Sequence, residues 1–377
     1  MSSISIVPVT TGKQMRQFIN FTLKLYKNEP NYVPELAMDT KSTLSKKTNP
    51  ALEFCDYQPF LAVRDGKVVG RVVALINPVA NEKWQHKEVR FGWIDFIEDY
   101  EVCKALLDAV KAWGQERGMN CMEGPLGFTD FDREGALVEG FDKFATMATI
   151  YNYPYYVEYY DRYGLVKSVD WLEFRITVPQ ELPDRVAKTI DIVKNRYDLR
   201  VVKYHNIPYF KKNVAPAIFN LLNECYQDLH GFSQLNEKQK QQYIDAYIPF
   251  VDLDILPMVY DKDDNLIGTA LMIPSLAEAI KKSGGRLFPF GWWHLIKRLY
   301  LKQDEVVEFL LVAVKPEWQN KGLNVLMIAD LFPIFKKKGF KYCETNCNLE
   351  DNHKVLSLWK SFEHENHKRR RAYRMDF

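Results

Sequence analysis

Apolar residues recur along this chain in the same order twice. Residues 61–76 and 259–273 alternate apolar and polar positions with a period of two, around Asp65-Gly66-Lys67 in the first case and Asp263-Asp264-Asn265 in the second. That pattern predicts two β-hairpins, and each carries a glycine, Gly70 or Gly268, early in its returning strand. An apolar strand follows each hairpin, at 91–97 and 306–314, and then a stretch with helical spacing, at 102–115 and 325–337. Both helices stop at a glycine, Gly118 or Gly339, and both are followed by a strand carrying a glutamate, Glu123 or Glu344. The spacing from glycine to glutamate is identical in the two halves. Each copy therefore reads hairpin, strand, helix, strand, helix, strand, and the chain is an internal repeat.

Length agrees with two domains, since 377 residues exceed one typical core. A hydrophobic fraction of 47% promises well-filled interiors, and 27% charged residues promise a polar surface. No apolar run approaches the ~20 residues of a membrane span. Residues 1–7 have neither a basic nor a long apolar region, so no secretory signal is expected and the location is expected to be cytoplasmic. Six scattered cysteines form no Cys-x-x-Cys pair and are expected to be reduced thiols. Seven histidines give no ligand spacing, so no metal is expected. A net charge of +2 provides no global attraction to nucleic acid, and no Gly-x-Ser-x-Gly or Cys/His nucleophile pattern is present.

The stretch 308–324 concentrates the chemistry. An apolar strand ends at Val314-Lys315-Pro316, a polar loop Gln319-Asn320-Lys321-Gly322-Leu323-Asn324 follows, and a helix begins. Backbone N–H groups of such a loop face outward at a helix N-terminus, which suits a pyrophosphate. Strand, proline, loop and helix together resemble the GNAT superfamily of acetyl-CoA-dependent acyltransferases, whose loop reads Gln/Arg-x-x-Gly-x-Gly/Ala. Asn324 stands where that pattern has a small residue.

The resemblance implies an α/β (α+β) fold of two tandem GNAT-like domains, each a mixed, mostly antiparallel sheet flanked by helices. They are placed at 1–180 and 201–377, with a linker helix in 181–200. Pro179 and Pro183 break the chain there, after a strand at 171–178, and 186–194 has helical spacing. The resemblance also implies acetyl-CoA or another acyl-CoA as co-substrate, without a metal, and a small-molecule or peptide amine as acceptor. Neither nucleic acid nor integral membrane association is expected, and the chain would be a monomer or homodimer. Backbone of Leu311, Val312, Ala313 and Val314 would hold the thioester arm, and Gln319, Asn320, Lys321, Gly322, Leu323 and Asn324 the phosphates. Asn348 and Asn352 resemble the asparagine-containing start of the family's fourth helix and would orient pantetheine or acceptor.

Within that scheme Glu308, at the start of its strand, is the first candidate for general base and Glu344 the second. Where many relatives carry a phenolic acid, Trp359 stands, and an indole N–H has no useful acidity. Tyr342 and Tyr373 are the remaining candidate acids. The first copy has Glu98-Asp99-Tyr100-Glu101 in place of the phosphate loop, and carboxylates there repel a pyrophosphate. Its Tyr160-Asp161-Arg162-Tyr163-Gly164-Leu165 resembles the end of the family's fourth helix. The expected activity is N-acyl transfer by direct attack in the second domain. Asn324 and Trp359 favour a second reading, a non-catalytic acyl-CoA-binding or sensory module.

Three segments remain. The loop 124–141 holds four glycines among carboxylates and aromatics, and is similar to a Gly-Pro loop of tandem GNAT-like bacterial proteins of unassigned substrate. Within an insertion at 275–303, the aromatic run 287–296 fits an acyl pocket, a membrane contact or packing between domains. The basic run Lys368-Arg369-Arg370-Arg371 fits a solvated edge strand or a contact with an anionic ligand.

Overall fold

The computed structural model describes residues 3–182, 184–301 and 304–377, so the chain break read at Pro183 and the end of the insertion at Gln303 lie outside the described residues. By their packing these residues form two compact units. Residues 1–172, 277–295 and 367–377 make the first, and residues 173–276 and 296–366 the second.

In the first unit, strand β1 (Ser5–Pro8) and helices α1 (Gly12–Leu25) and α2 (Ala37–Thr43) precede the hairpin of β2 (Asp56–Arg64) and β3 (Lys67–Ile76). Helix α3 (Pro78–Trp84), strand β4 (Glu88–Phe96), helix α4 (Tyr100–Gln115), strands β5 (Cys121–Gly124) and β6 (Ala136–Glu139) and helix α5 (Tyr155–Tyr163) follow, and β7 (Val166–Thr177) leads out. The strands run in the order β1-β2-β3-β4-β5, antiparallel except for the parallel pair β4-β5. Helix α4 is amphipathic because Val102, Cys103, Leu106, Leu107, Val110 and Trp113 recur every three or four residues, and all are buried on the sheet. Each such aliphatic side chain contributes about 1.5–3 kcal/mol by leaving water.

The second unit opens with α6 (Asp184–Tyr197), β8 (Arg200–Val202), α7 (Ile207–Asn213), α8 (Ala215–Cys225) and α9 (Glu237–Tyr247). Its hairpin is β9 (Met258–Tyr260) and β10 (Leu266–Pro274). The chain then passes through α10 (Ala277–Lys282) and α11 (Gly291–Ile296) to β11 (Val306–Val314), α12 (Leu323–Lys338), β12 (Tyr342–Thr345), β13 (Asn348–Leu349), α13 (His353–Trp359) and β14 (His364–Asp376). Here the order is β7-β12-β11-β10-β9-β8, again antiparallel except for one parallel pair, β11-β12.

The repeat holds residue for residue. Gly118 and Gly339 end α4 and α12 with φ of 77° and 78°. Three residues later the parallel pairing begins, Glu88 with Cys121 in one unit and Val306 with Tyr342 in the other. Gly70 faces Phe96 as Gly268 faces Val314. Close approach of a helix accounts for both glycines: a Cβ on Gly70 would lie 2.8 Å from Leu106, and one on Gly268 3.3 Å from Leu323. Both central strands also bulge beyond the middle, at Trp93 (φ 44°) in β4 and between Phe309 and Leu311 in β11.

The basic run is neither a solvated edge nor open to an anionic ligand. Arg369 and Arg371 donate to the buried Asp170, at 3.0 and 2.8 Å, and Lys167 pairs with the same carboxylate at 3.1 Å. Arg370, fully buried, donates to the carbonyls of Ile150 and Gly135. Burial pushes the Asp170 carboxyl up, but hydrogen bonds from Arg371, Lys167 and Arg369 outweigh it and hold its pKa below the usual value of 3.8. Such a depressed group stabilises the fold above its unfolded-state pKa and loses that contribution as pH falls through the folded-state value. Asp170→Asn should therefore cost about 1.5–3 kcal/mol in urea unfolding at pH 7, by weakening the charge-assisted hydrogen bonds that Arg369, Arg371 and Lys167 make to this buried carboxylate. The gap to wild type should narrow below pH 3.8.

Candidate active site

Parallel pairing of β11 with β12 ends at Phe309 opposite Thr345. Beyond it Leu311–Val314 pair with β10 on one side, and their other edge is turned to the fork where the two strands part. Leu310, Leu311 and Val312 are correspondingly half-exposed in mid-strand, and Ala313 is buried. Two carbonyls at this edge are taken: the Tyr226 hydroxyl donates to Val312 at 3.0 Å and the Gln319 amide to Val314 at 3.3 Å.

At the head of the fork the loop turns on two residues in the left-handed region, Asn320 (φ 62°) and Gly322 (φ 84°). Gly322 is fixed by its φ and by α6 as well, since a Cβ there would lie 2.6 Å from Val193. Helix α12 begins at Leu323, with Asn324 in its first turn, and no side chain caps it. Its first N–H groups are thus available to an anion. The equivalent helix of the first unit is closed off: Asp99 caps α4 by accepting from Glu101 N–H at 2.9 Å, and Arg64 pairs with Asp99 at 2.7 Å. Cations border the loop of the second unit. Lys354 donates to Gln319 at 2.8 Å, and the Lys321 ammonium lies over the Trp318 ring, 4.6 Å from its centre.

Glu308 and Glu344 face each other across the parallel pair, both buried. Ser275 donates to Glu308 at 2.7 Å, and Arg175 pairs with Glu344 at 3.4 Å. In the first unit the same register sets Arg90 opposite Glu123, so the residue equivalent to Glu308 is an arginine. There Arg90 binds Glu88 at 3.2 Å, and burial, with the nearby Glu123, pushes the Glu88 carboxyl up to about 7 against the pull of Arg90. In the first copy, then, the equivalent helix end is capped by a side chain and an arginine stands in the carboxylate's place.

Two buried polar atoms adjoin the fork without a hydrogen-bond partner, the Trp359 indole N–H and the Asn346 side-chain oxygen. The Trp359 ring meets Phe309 edge-on at 5.5 Å, and Asn346 N–H donates to the Phe309 carbonyl at 2.9 Å. Orphaned buried donors and acceptors each cost about 1–3 kcal/mol, so a polar partner, water or ligand, is expected at each.

The other sequence candidates are spread over both units. Tyr342 starts β12, two residues before Glu344, under the Arg175 guanidinium, and lines a cleft of about 250 Å³ with Thr177 and His364. Tyr373 belongs to the first unit, where its ring is buried 5.2 Å from that of Tyr160. Asn348 holds a turn by donating to Thr345 Oγ1 at 2.9 Å, and Asn352 caps α13 by accepting from Val355 N–H at 3.3 Å. Ser275, Arg175, Tyr226 and Lys354 escaped the sequence reading. Each reaches the fork from a distant segment, and none stands in a recognisable pattern.

No family model matches this chain. It is 26% identical over 372 residues to Protein YghO of Escherichia coli (strain K12), covering 95% of this chain and 92% of the relative. It is 25% identical over 320 residues to the bacterial ceramide synthase of Caulobacter vibrioides, covering 85% and 82%. Among solved structures it superposes on a tandem GNAT protein from the clavulanic acid biosynthesis pathway with a TM-score of 0.58 and 12% identity, covering 99% of this chain and 98% of the other. The chain has the tandem GNAT fold. No described helix is long and apolar enough to cross a membrane.

Proposed function

We propose that the second unit binds an acyl-CoA at the β11-β12 fork and transfers its acyl group to an amine. The uncapped α12 N-terminus beside an open strand edge is the observation that carries this reading. Amides of residues 322–324 would take the pyrophosphate, and the fork-facing edge of Leu311–Val314 the pantetheine arm, with Tyr226 and Gln319 giving up the Val312 and Val314 carbonyls they hold. Asn346 Oδ1 would accept from a pantetheine amide. Trp359 Nε1 would donate to the acyl-thioester end, polarising the carbonyl or steadying the leaving sulfur without giving up its proton.

Glu308 would take the proton of the acceptor ammonium, directly or through water. The amine nitrogen then forms the C–N bond as the C–S bond breaks, and the proton that the acylated nitrogen sheds passes through water to the departing thiolate. Holding both reactants in line supplies about 7–11 kcal/mol of the barrier, so a dedicated acid is not required. The likeness to a ceramide synthase supports a long-chain amine as acceptor, because ceramide is the amide of such an amine, and supports a long acyl chain over acetyl.

Thiol release from acetyl-CoA and palmitoyl-CoA, measured with a panel of short and long-chain amines, tests the reading. Amine-dependent release supports it, and tight CoA binding without release under any combination would establish a binding module instead. Trp359→Phe should lower kcat/KM about tenfold, the loss of one hydrogen bond of about 1.4 kcal/mol. Unchanged kinetics would remove Trp359 from the site.

A further inference from the structure

We infer that the turn formed by residues 286–295 docks the protein onto a bilayer surface carrying anionic headgroups. Phe288 and Phe290, 78% and 76% exposed, are the most exposed large apolar side chains among the described residues, and Trp292 and Trp293 beside them are 41% and 49% exposed.

The turn is built to hold these rings outward. Trp292 N–H donates to the Leu287 carbonyl at 2.8 Å, its indole N–H to Pro289 at 2.9 Å, and Trp293 N–H to Phe290 at 3.2 Å. Both ends are clamped into the first unit. On one side Ala277, Ala279 and Ile280 are buried, Gly285 accepts from Ala37 N–H at 2.8 Å, and Arg286 donates to Asn20 at 2.7 Å; on the other, Leu295 is buried. The rings are thus not waiting to fold back into their own core.

Charge selects the occupant. Residues 277–295 carry Lys281, Lys282 and Arg286 against one carboxylate, Glu278. Lys282 pairs with Glu278 at 3.1 Å, and Lys281 donates to the carbonyls of Glu29 and Pro30 with the Glu29 carboxylate nearby, whereas Arg286 is exposed and donates to the neutral amide of Asn20. Tryptophan and phenylalanine beside lysine and arginine form the usual partition of an interfacial anchor, rings at the acyl boundary and cations among the headgroups. The four rings expose on the order of 500 Å², below the ~800 Å² a side that a stable protein interface needs, and all four stand on one six-residue stretch, 288–293. The inference is independent of the acyl-transfer reading, although a long-chain acceptor would be delivered from such a surface.

Co-sedimentation of the full chain with phosphatidylcholine vesicles containing 30% phosphatidylglycerol tests it, beside the double variant Phe288→Glu/Phe290→Glu. Wild type should pellet, and the variant should lose binding at least tenfold while keeping its far-UV spectrum and its CoA affinity. Binding should also weaken at least fivefold in 0.5 M salt or with phosphatidylcholine alone. Absence of wild-type binding, or equal binding by the variant, would overturn the inference. So would a wild-type dimer that the variant dissolves while neither form binds vesicles.

Discussion

Replacing Glu308 by glutamine should lower acyl-transfer turnover by about 10²–10⁴-fold, the usual contribution of a general base. The affinity for CoA should be unchanged, because the side chain is set at the Phe309 end of the fork and not at the phosphate loop. Glutamine keeps the shape and can still accept from Ser275 Oγ, which lies 2.7 Å from the glutamate. A loss confined to kcat would then reflect proton removal rather than collapse. Ser275→Ala should give a smaller loss of roughly tenfold, since it removes one hydrogen bond and leaves the carboxylate in place. If Glu308→Gln destabilises the protein without slowing turnover, Glu308 is a buried structural partner of Ser275, and Glu344 becomes the candidate base.

Asn324→Glu should weaken CoA binding ten- to a hundredfold while leaving the fold as stable or more so. The two effects have opposite signs for one physical reason. A carboxylate in the first turn of α12 satisfies the positive end of the helix and contributes about 0.3–1 kcal/mol to stability. The same charge repels a pyrophosphate seated on those amides by about 1–3 kcal/mol at the intermediate dielectric of a protein surface. Asp99 in the first unit is the natural precedent, a carboxylate that caps α4 where an anion would otherwise bind. Gly322 is the poorer place to test, because any side chain there is strained by φ and strikes Val193. Equal CoA affinity in a folded Asn324→Glu protein would move the phosphates elsewhere.

How far the sequence was legible depended on whether a feature is local. Hairpin turns at Asp65-Gly66 and Asp263-Asp264, the helix stops at Gly118 and Gly339, and the loop to α12 are written in neighbouring residues, and the structure has them there. The repeat was readable because it is a comparison of the chain with itself. Pairings that cross the chain were not. Arg370 looks like a surface arginine until Ile150 and Gly135 are brought to it, and the charge run hides that Asp170, two hundred positions away, neutralises Arg369 and Arg371. Tyr373 drew notice as a phenol near the end of the chain, whereas residues 367–377 pack with the first unit and bury it. Trp359 was legible as a departure from a family pattern, but its orphaned N–H against Phe309 appears only in three dimensions. The exposed rings at 288–293 could not be told from core by composition, because aromatic density alone does not say which side faces water.

One acyl-CoA is expected to bind at the fork of the second unit. Calorimetric titration of the full chain with CoA, acetyl-CoA and palmitoyl-CoA tests it most directly, run beside Asn324→Glu. A single site per chain is expected, weakened at least tenfold in the variant. That expectation is contradicted if none of the three binds, or if the variant binds as wild type does.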